Sequence, residues 1–303
     1  MEILITNDDG YKAKGIKVLT EIMSQFGRLT VIAPKKHQSG MSMAVSLGLK
    51  QIAYKQLNAS EVETYTWKTP QRKSGHCKDC TEEPVWSYLD ATPASCIKFG
   101  LNTCFQDKFP DVVVSGINHG SNASAASCYS GTLGAAEEAA LNGIPAIGVS
   151  LDSMNPDADF SAVEQFFPDI FKMIINNLPE RKGIYYNVNF PAIPADEIKG
   201  IRIGIQGKGR WVREFKDWDP DIMKHLGITP ESLGQPGNTI LEEGEKAFIM
   251  VGDYLDDPDN IEIADHLLMR RKYISIVAHN LDTTDYEEVG RIKSLGFDKD
   301  FAR

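Results

Sequence analysis

A chain of 303 residues, 42% apolar and 24% charged, holds enough hydrophobic material for a full globular core, which excludes a wholly disordered protein. Its formal net charge of -10 argues against a surface for duplex nucleic acid, because lysine and arginine on phosphates supply most of that affinity. The opening run MEILIT is too short and too poor in basic residues for a signal peptide, and no run of about 18 apolar residues follows, so the expected compartment is the cytoplasm and no membrane partner is expected.

In chain order, EILIT reads as a short buried strand that breaks at Asn7. KGIKVLTEIMSQFG places Ile16, Leu19, Ile22 and Met23 on one helical face, with Gly27 as a stop. RLTVIAP is the next strand. Residues 45 to 86 contain the alternating stretches VSLGLKQIAYKQL and VETYTWKT, expected as hairpin strands, and then an exposed polar insertion over about residues 70–86. Thr92 and Pro93 suit the cap and first turn of a helix through SCIKFGL. DVVVSG is a further buried strand. A loop rich in glycine and serine leads to the helix TLGAAEEAALNG, closed by Gly143, and PAIGVSL and GIYYNVNFP read as two more strands. Residues 206 to 260 have weak periodicity and many Gly, Pro and Asp residues, which suits an arm that packs on another subunit. KYISIVAHNL returns as a strand, and TTDYEEVGRIKSL reads as a terminal helix.

Strands alternating with helices imply right-handed crossovers and a mainly parallel α/β sheet covered on both faces. Ligands of such sheets sit beyond the carboxyl ends of the strands. Here the polar signals fall at those ends: Asn7, Asp8 and Asp9 after the first strand, Ser39 and Gly40 after the second, Asn118 after VVVSG.

Adjacent carboxylates at a strand end repel each other, and a hard divalent cation removes that cost. TNDDG therefore reads as a metal-holding turn, with a plain Asn/Asp turn as its rival. Asn118, in SGINHGSN, carries an amide oxygen suited to the same cation, although taken alone it reads first as part of a hydrogen-bonded loop. Ser39 can supply a hydroxyl ligand and the Gly40 amide can approach an anion, or QSG is a simple turn. Ser130, Gly131 and Thr132 open a helix whose first-turn amides suit a phosphate; N-capping by Ser130 is the alternative. His119 is a candidate general acid or a structural loop residue. Trp211 and Trp218, among Arg210, Arg213 and Lys216, can stack on a base or pack in an interface.

Five cysteines, an odd number, do not make a disulfide framework in a chain this long and fit a reducing compartment. His76, Cys77 and Cys80 form H-C-x-x-C, half of a zinc site, which without a second pair reads as a solvated insertion with free thiols.

With these segments in order, the chain resembles the SurE family, the stationary-phase survival proteins that act as 5'-nucleotidases and phosphatases. The matching stretches are ILITNDDG, VIAPKKHQSGMS, ATPASCIKFGL, PDVVVSGINHGSN, YSGTLGAAEEAALNGIPAIGVSL and YNVNFP. The resemblance implies a Rossmann-like three-layer core over residues 1–205 and a C-terminal extension over 206–303 that is exchanged between subunits of a homodimer or homotetramer. It implies one divalent ion per subunit, Mg2+ or Mn2+, on Asp8, Asp9, Ser39 and Asn118, with Asp8 and Asp9 catalytic. The substrates it implies are nucleoside 5'- and often 3'-monophosphates, whose phosphate would meet Asn7, Gly40, Asn118, Ser130, Gly131 and Thr132. Two other readings stay open: a non-catalytic metal or nucleotide sensor, and a phosphatase that forms an aspartyl-phosphate on Asp8, although the D-x-D spacing of haloacid-dehalogenase enzymes is absent.

Overall fold

The computed structural model describes residues 1–48, 51–64, 83–219, 221, 240–296 and 298. Its strands are β1 (Glu2–Thr6), β2 (Arg28–Pro34), β3 (Tyr54–Gln56), β4 (Val85–Leu89), β5 (Val112–His119), β6 (Ala146–Leu151) and β7 (Ile184–Phe190). The chain continues with β8 (Ile201–Ile203), β9 (Gly209–Val212), β10 (Phe215–Asp217), β11 (Phe248–Met250), β12 (Asp253–Asp256) and β13 (Ile274–Asn280). The helices are α1 (Lys14–Met23), α2 (Ala59–Thr64), α3 (Pro93–Thr103), α4 (Gly131–Leu141), α5 (Ser161–Ile175), α6 (Asp265–Arg270) and α7 (Tyr286–Ser294).

Nine strands form one sheet in the order β3-β4-β2-β1-β5-β6-β7-β13-β8. From β4 to β7 every pairing is parallel, while β3 and β13 run antiparallel to β4 and β7. The apolar strands are buried on both sides because helices cover both faces. Ile16 and Leu19 of α1, with Phe167 and Phe171 of α5, close one core against the sheet; Ile97 and Leu101 of α3, with Ala135 and Ala139 of α4, close the other. Each fully buried leucine, isoleucine or phenylalanine contributes about 1.5–3 kcal/mol of transfer free energy. The result is a three-layer α/β sandwich.

The order of winding reverses between β1 and β5, since β2 and β4 lie to one side and β6 and β7 to the other. That is the switch point at which a crevice opens beyond the strand ends.

Some elements differ from the expectation. The strand expected over VSLGLKQIAYKQL shrinks to Tyr54–Gln56, and Ala59–Thr64 is helical, so the hairpin does not form in the described residues. Lys55, exposed in β3, pairs with Glu61, and the Asn58 side chain accepts from the Glu61 amide at 3.0 Å; these local bonds favour a turn of helix over a second strand. The partner of β3 is instead β4. Helix α5 escaped notice, although Val163, Phe167, Ile170, Phe171 and Ile174 carry the buried helical stripe. Residues 65–82, including His76, Cys77 and Cys80, lie outside the described residues. Among the described residues Cys96, Cys104 and Cys128 are free thiols, and no helix is long and apolar enough to cross a membrane.

Within residues 206–260, β9 pairs with β12 and β10 with β11, each antiparallel. This double ribbon leaves Phe215, Phe248 and Met250 exposed, and β13 then re-enters the main sheet between β7 and β8.

Candidate functional site

Strand β1 ends at Thr6, and the chain turns through Asn7, Asp8, Asp9 and Gly10. Asn7 is fully buried; its amide donates to the Gly10 carbonyl at 3.0 Å, which closes the turn and leaves the next two carboxylates facing the crevice. Asn7 thus serves the loop from beneath.

Asp8 is 3% exposed. The Thr132 hydroxyl donates to its Oδ1 at 2.5 Å, and the backbone amides of Gly131 and Thr132 also point at the carboxylate. Burial raises the Asp8 pKa above the usual carboxylate value, and these donors oppose the rise. Asp9 is pushed further, well above its ordinary value, by burial and then by the charge of Asp8; the His119 amide, 3.1 Å from its Oδ2, opposes this. The basic side chain beside it is His37, with Nδ1 3.5 Å from Asp9 Oδ1, yet burial lowers the His37 pKa and favours the neutral imidazole. Two buried, mutually repelling carboxylates therefore sit together with little positive charge to balance them.

Asn118 reaches this place through an irregularity in β5. Ser115 pairs with Gly148 and Asn118 with Ser150, so β5 carries one more residue than β6 over that stretch. Such a bulge re-aims a side chain. Gly116 permits it: its φ is +138°, and a Cβ there would lie 2.3 Å from the Val149 carbonyl oxygen. The Asn118 amide nitrogen then donates to the Gly120 carbonyl at 2.7 Å, which leaves its oxygen as the free acceptor. Loop 35–42 approaches from β2. The Gln38 amide donates to the Asp8 carbonyl at 2.7 Å, which sets the exposed Ser39 and Gly40 on the rim of the same turn.

Helix α4 completes the enclosure. A Cβ on Gly131 would lie 2.9 Å from the Asp8 Cβ and 3.1 Å from the Gln38 carbonyl, so the helix start, Asp8 and loop 35–42 meet at this glycine. The Ser130 hydroxyl accepts from the Leu133 amide at 3.0 Å and is an N-cap, as its alternative reading had it. The Thr132 hydroxyl and the first-turn amides are directed at Asp8. His119 packs edge-on against Phe160, with Nδ1 3.0 Å from the Asn155 carbonyl, and burial lowers its pKa.

Carboxylate, amide and hydroxyl oxygens, as on Asp8, Asp9, Asn118 and Ser39, are hard donors. Donors of that type suit Mg2+ or Mn2+ better than a thiolate-seeking metal. The unbalanced Asp8–Asp9 pair is the structural reason to expect a cation. Among the described residues no cluster of three or more His, Cys, Asp or Glu forms a rival site. Sequence reading missed His37 beside Asp9 and the grip of Thr132 on Asp8. The first had a weak signal, a histidine two residues before Ser39; the second had none.

The chain is similar to known proteins. A family model described as "Survival protein SurE" matches residues 3–213. The 5'-nucleotidase SurE of Cytophaga hutchinsonii is 35% identical, covering 96% of this chain and 95% of its own length. That of Christiangramia forsetii is 36% identical over 82% of this chain and 90% of its own. The crystal structure of the SurE protein from Aquifex aeolicus superposes with a TM-score of 0.70 at 26% identity, covering 98% of this chain and all of that one.

Proposed function

This chain belongs to the SurE family, and on that premise we propose that it is a metal-dependent phosphomonoesterase acting on nucleoside 5'-monophosphates. The observation that carries the reading is the buried Asp8–Asp9 pair at the sheet's switch point, charge-rich and short of a cation.

Asp8, Asp9, Asn118 and Ser39 would hold one Mg2+ or Mn2+ per subunit. When bound, such an ion supplies Lewis acidity toward a phosphoryl oxygen and acidifies water. The protein's own groups do the rest. Thr132 and the α4 amides hold Asp8 in one orientation. Asp9, whose carboxylate lies beside Asp8, accepts the proton of the attacking water. The exposed Gly40 amide, on the rim beside Asp8, donates to the phosphoryl oxygens. Asp8 accepts from the Thr132 hydroxyl and from the amides of Gly131, Thr132 and its own backbone, which favours attack by water over an aspartyl-phosphate on Asp8. Ser130 acts through the helix start, and Asn7 through the turn.

The exposed Phe215, Phe248 and Met250 of the double ribbon support a homodimer or homotetramer built through the arm. The free thiols fit the reducing cytoplasm as its compartment.

The test is phosphate release from AMP, GMP and a chromogenic monoester, with Mn2+ or Mg2+ and with EDTA. Activity that requires the ion and disappears in Asp9→Asn is expected. Hydrolysis that survives both treatments defeats the proposal, and a folded, metal-binding protein inert on every monoester favours the sensor.

A further inference from the structure

Beyond Gly120, whose carbonyl holds the Asn118 amide at 2.7 Å, the chain opens onto a cleft of about 370 Å³. That volume lies within the roughly 300–1,000 Å³ typical of small-ligand sites. One wall is the loop after β5, from Gly120 to Ala126. The other is built from the arm and α6, through Trp211, Tyr254, His266 and Arg270. The cleft wall begins at Gly120, two residues along the chain from Asn118, a proposed metal ligand.

We propose that this cleft receives the nucleoside part of the substrate, with Trp211 as the stacking surface for the base and Asp265 as the positioning residue that joins the two walls. The proposal rests on the phosphomonoesterase reading and deepens it. Trp211 lines the cleft and is 41% exposed. It meets Tyr254 edge-on, ring centroids 5.5 Å apart, and Tyr254 in turn meets His266 at 6.1 Å. Base–aromatic stacking tolerates every base because each has a π face. Asp152, on the loop after β6, lines the same space and offers a carboxylate to ribose hydroxyls.

Asp265 is fully buried and touches no part of the cleft surface. Its two carboxylate oxygens accept from the Ser124 amide at 3.0 Å each, and Oδ1 also accepts from the amides of Gly207 at 3.0 Å and His266 at 2.8 Å. One side chain thus ties the loop after β5, the segment that leads into β9, and α6. The Tyr254 hydroxyl reinforces the seam through the Ser124 hydroxyl and the Lys208 carbonyl. Without the carboxylate, the wall that carries Trp211 is no longer fixed against the wall that begins at Asn118.

The experiment compares AMP with ribose 5-phosphate, which lacks the base, using the full-length protein with Mn2+. For Trp211→Ala the ratio of kcat/KM values, AMP over ribose 5-phosphate, is expected to fall about tenfold, the size of one base–aromatic stack, mainly through the KM for AMP. Asp265→Asn is expected to lower the same ratio; a merely structural role would reduce both substrates equally. If Asp265→Asn does not fold, Trp211→Ala carries the test. A wild-type enzyme that hydrolyses both substrates, with a ratio unmoved by Trp211→Ala, overturns the subsite and leaves the phosphomonoesterase reading standing. A wild-type protein inert on both overturns that reading and the subsite with it.

Discussion

The Thr132 hydroxyl donates to Oδ1 of Asp8 at 2.5 Å, across 124 residues of chain. It fixes which face of that carboxylate is free. Partners behind a ligand are typically worth about 10- to 100-fold in metal affinity. Thr132→Val, close in shape but without the donor, should raise the Mn2+ concentration for half-maximal activity by about that factor. Metal titration of the activity checks it; an unchanged midpoint would mean that the hydroxyl does not orient Asp8.

Asp9→Asn should separate stability from function. Burial and the neighbouring Asp8 charge make the ionised Asp9 unfavourable in metal-free protein. Removing that charge should raise the midpoint of thermal unfolding in EDTA while lowering kcat by about 100-fold or more, as expected when a group that stabilises the transition state is lost. Calorimetry in EDTA and steady-state kinetics with Mn2+ read the two effects. A midpoint that falls would contradict the proposed repulsion.

The same pair sets the pH dependence of the metal-free protein. The folded-state pKa values of Asp8 and Asp9 are raised above the ordinary aspartate value of 3.8, so over that interval the folded state binds more protons than the unfolded state. Their contribution to stability is therefore present at low pH and is lost as pH rises from about 3.8 through the raised values. Added Mn2+ should reverse the loss, since the cation prefers both carboxylates ionised. Thermal melts across pH, with EDTA and with Mn2+, test the sign, and Asp9→Asn should flatten the EDTA curve.

Gly134 lies one helical turn into α4, where a Cβ would come within 2.0 Å of the Ser42 carbonyl oxygen. Backbone cannot yield there as a flexible side chain can. Gly134→Ala should cost about 1–3 kcal/mol in denaturant unfolding, the usual range for overpacking. It should also weaken activity, because the displaced loop 35–42 carries Ser39 and Gly40. Unchanged stability would show that the loop moves freely away from α4.

Much of this protein was legible in one dimension. Strands β1, β2, β5, β6 and β7 are runs of apolar residues buried on both sides, and α1 shows its face in Ile16, Leu19, Ile22 and Met23. Polar residues at the ends of those strands, Asp8, Asp9 and Asn118 among them, pointed to one crevice because a parallel sheet opens there. These signals are local: hydrophobic period, caps and turn residues act within a few positions of themselves.

What only the tertiary structure decided depends on contacts that no local pattern encodes. Thr132 serves Asp8, and Asp9 accepts from the amide of His119, because β1 and β5 became neighbours and α4 packed over their ends. Asp265 gathers amides from residues 124, 207 and 266, yet in sequence it is one aspartate at the start of a short helix. A buried charge can choose distant partners only after the chain has closed around it and removed the water that would otherwise solvate it.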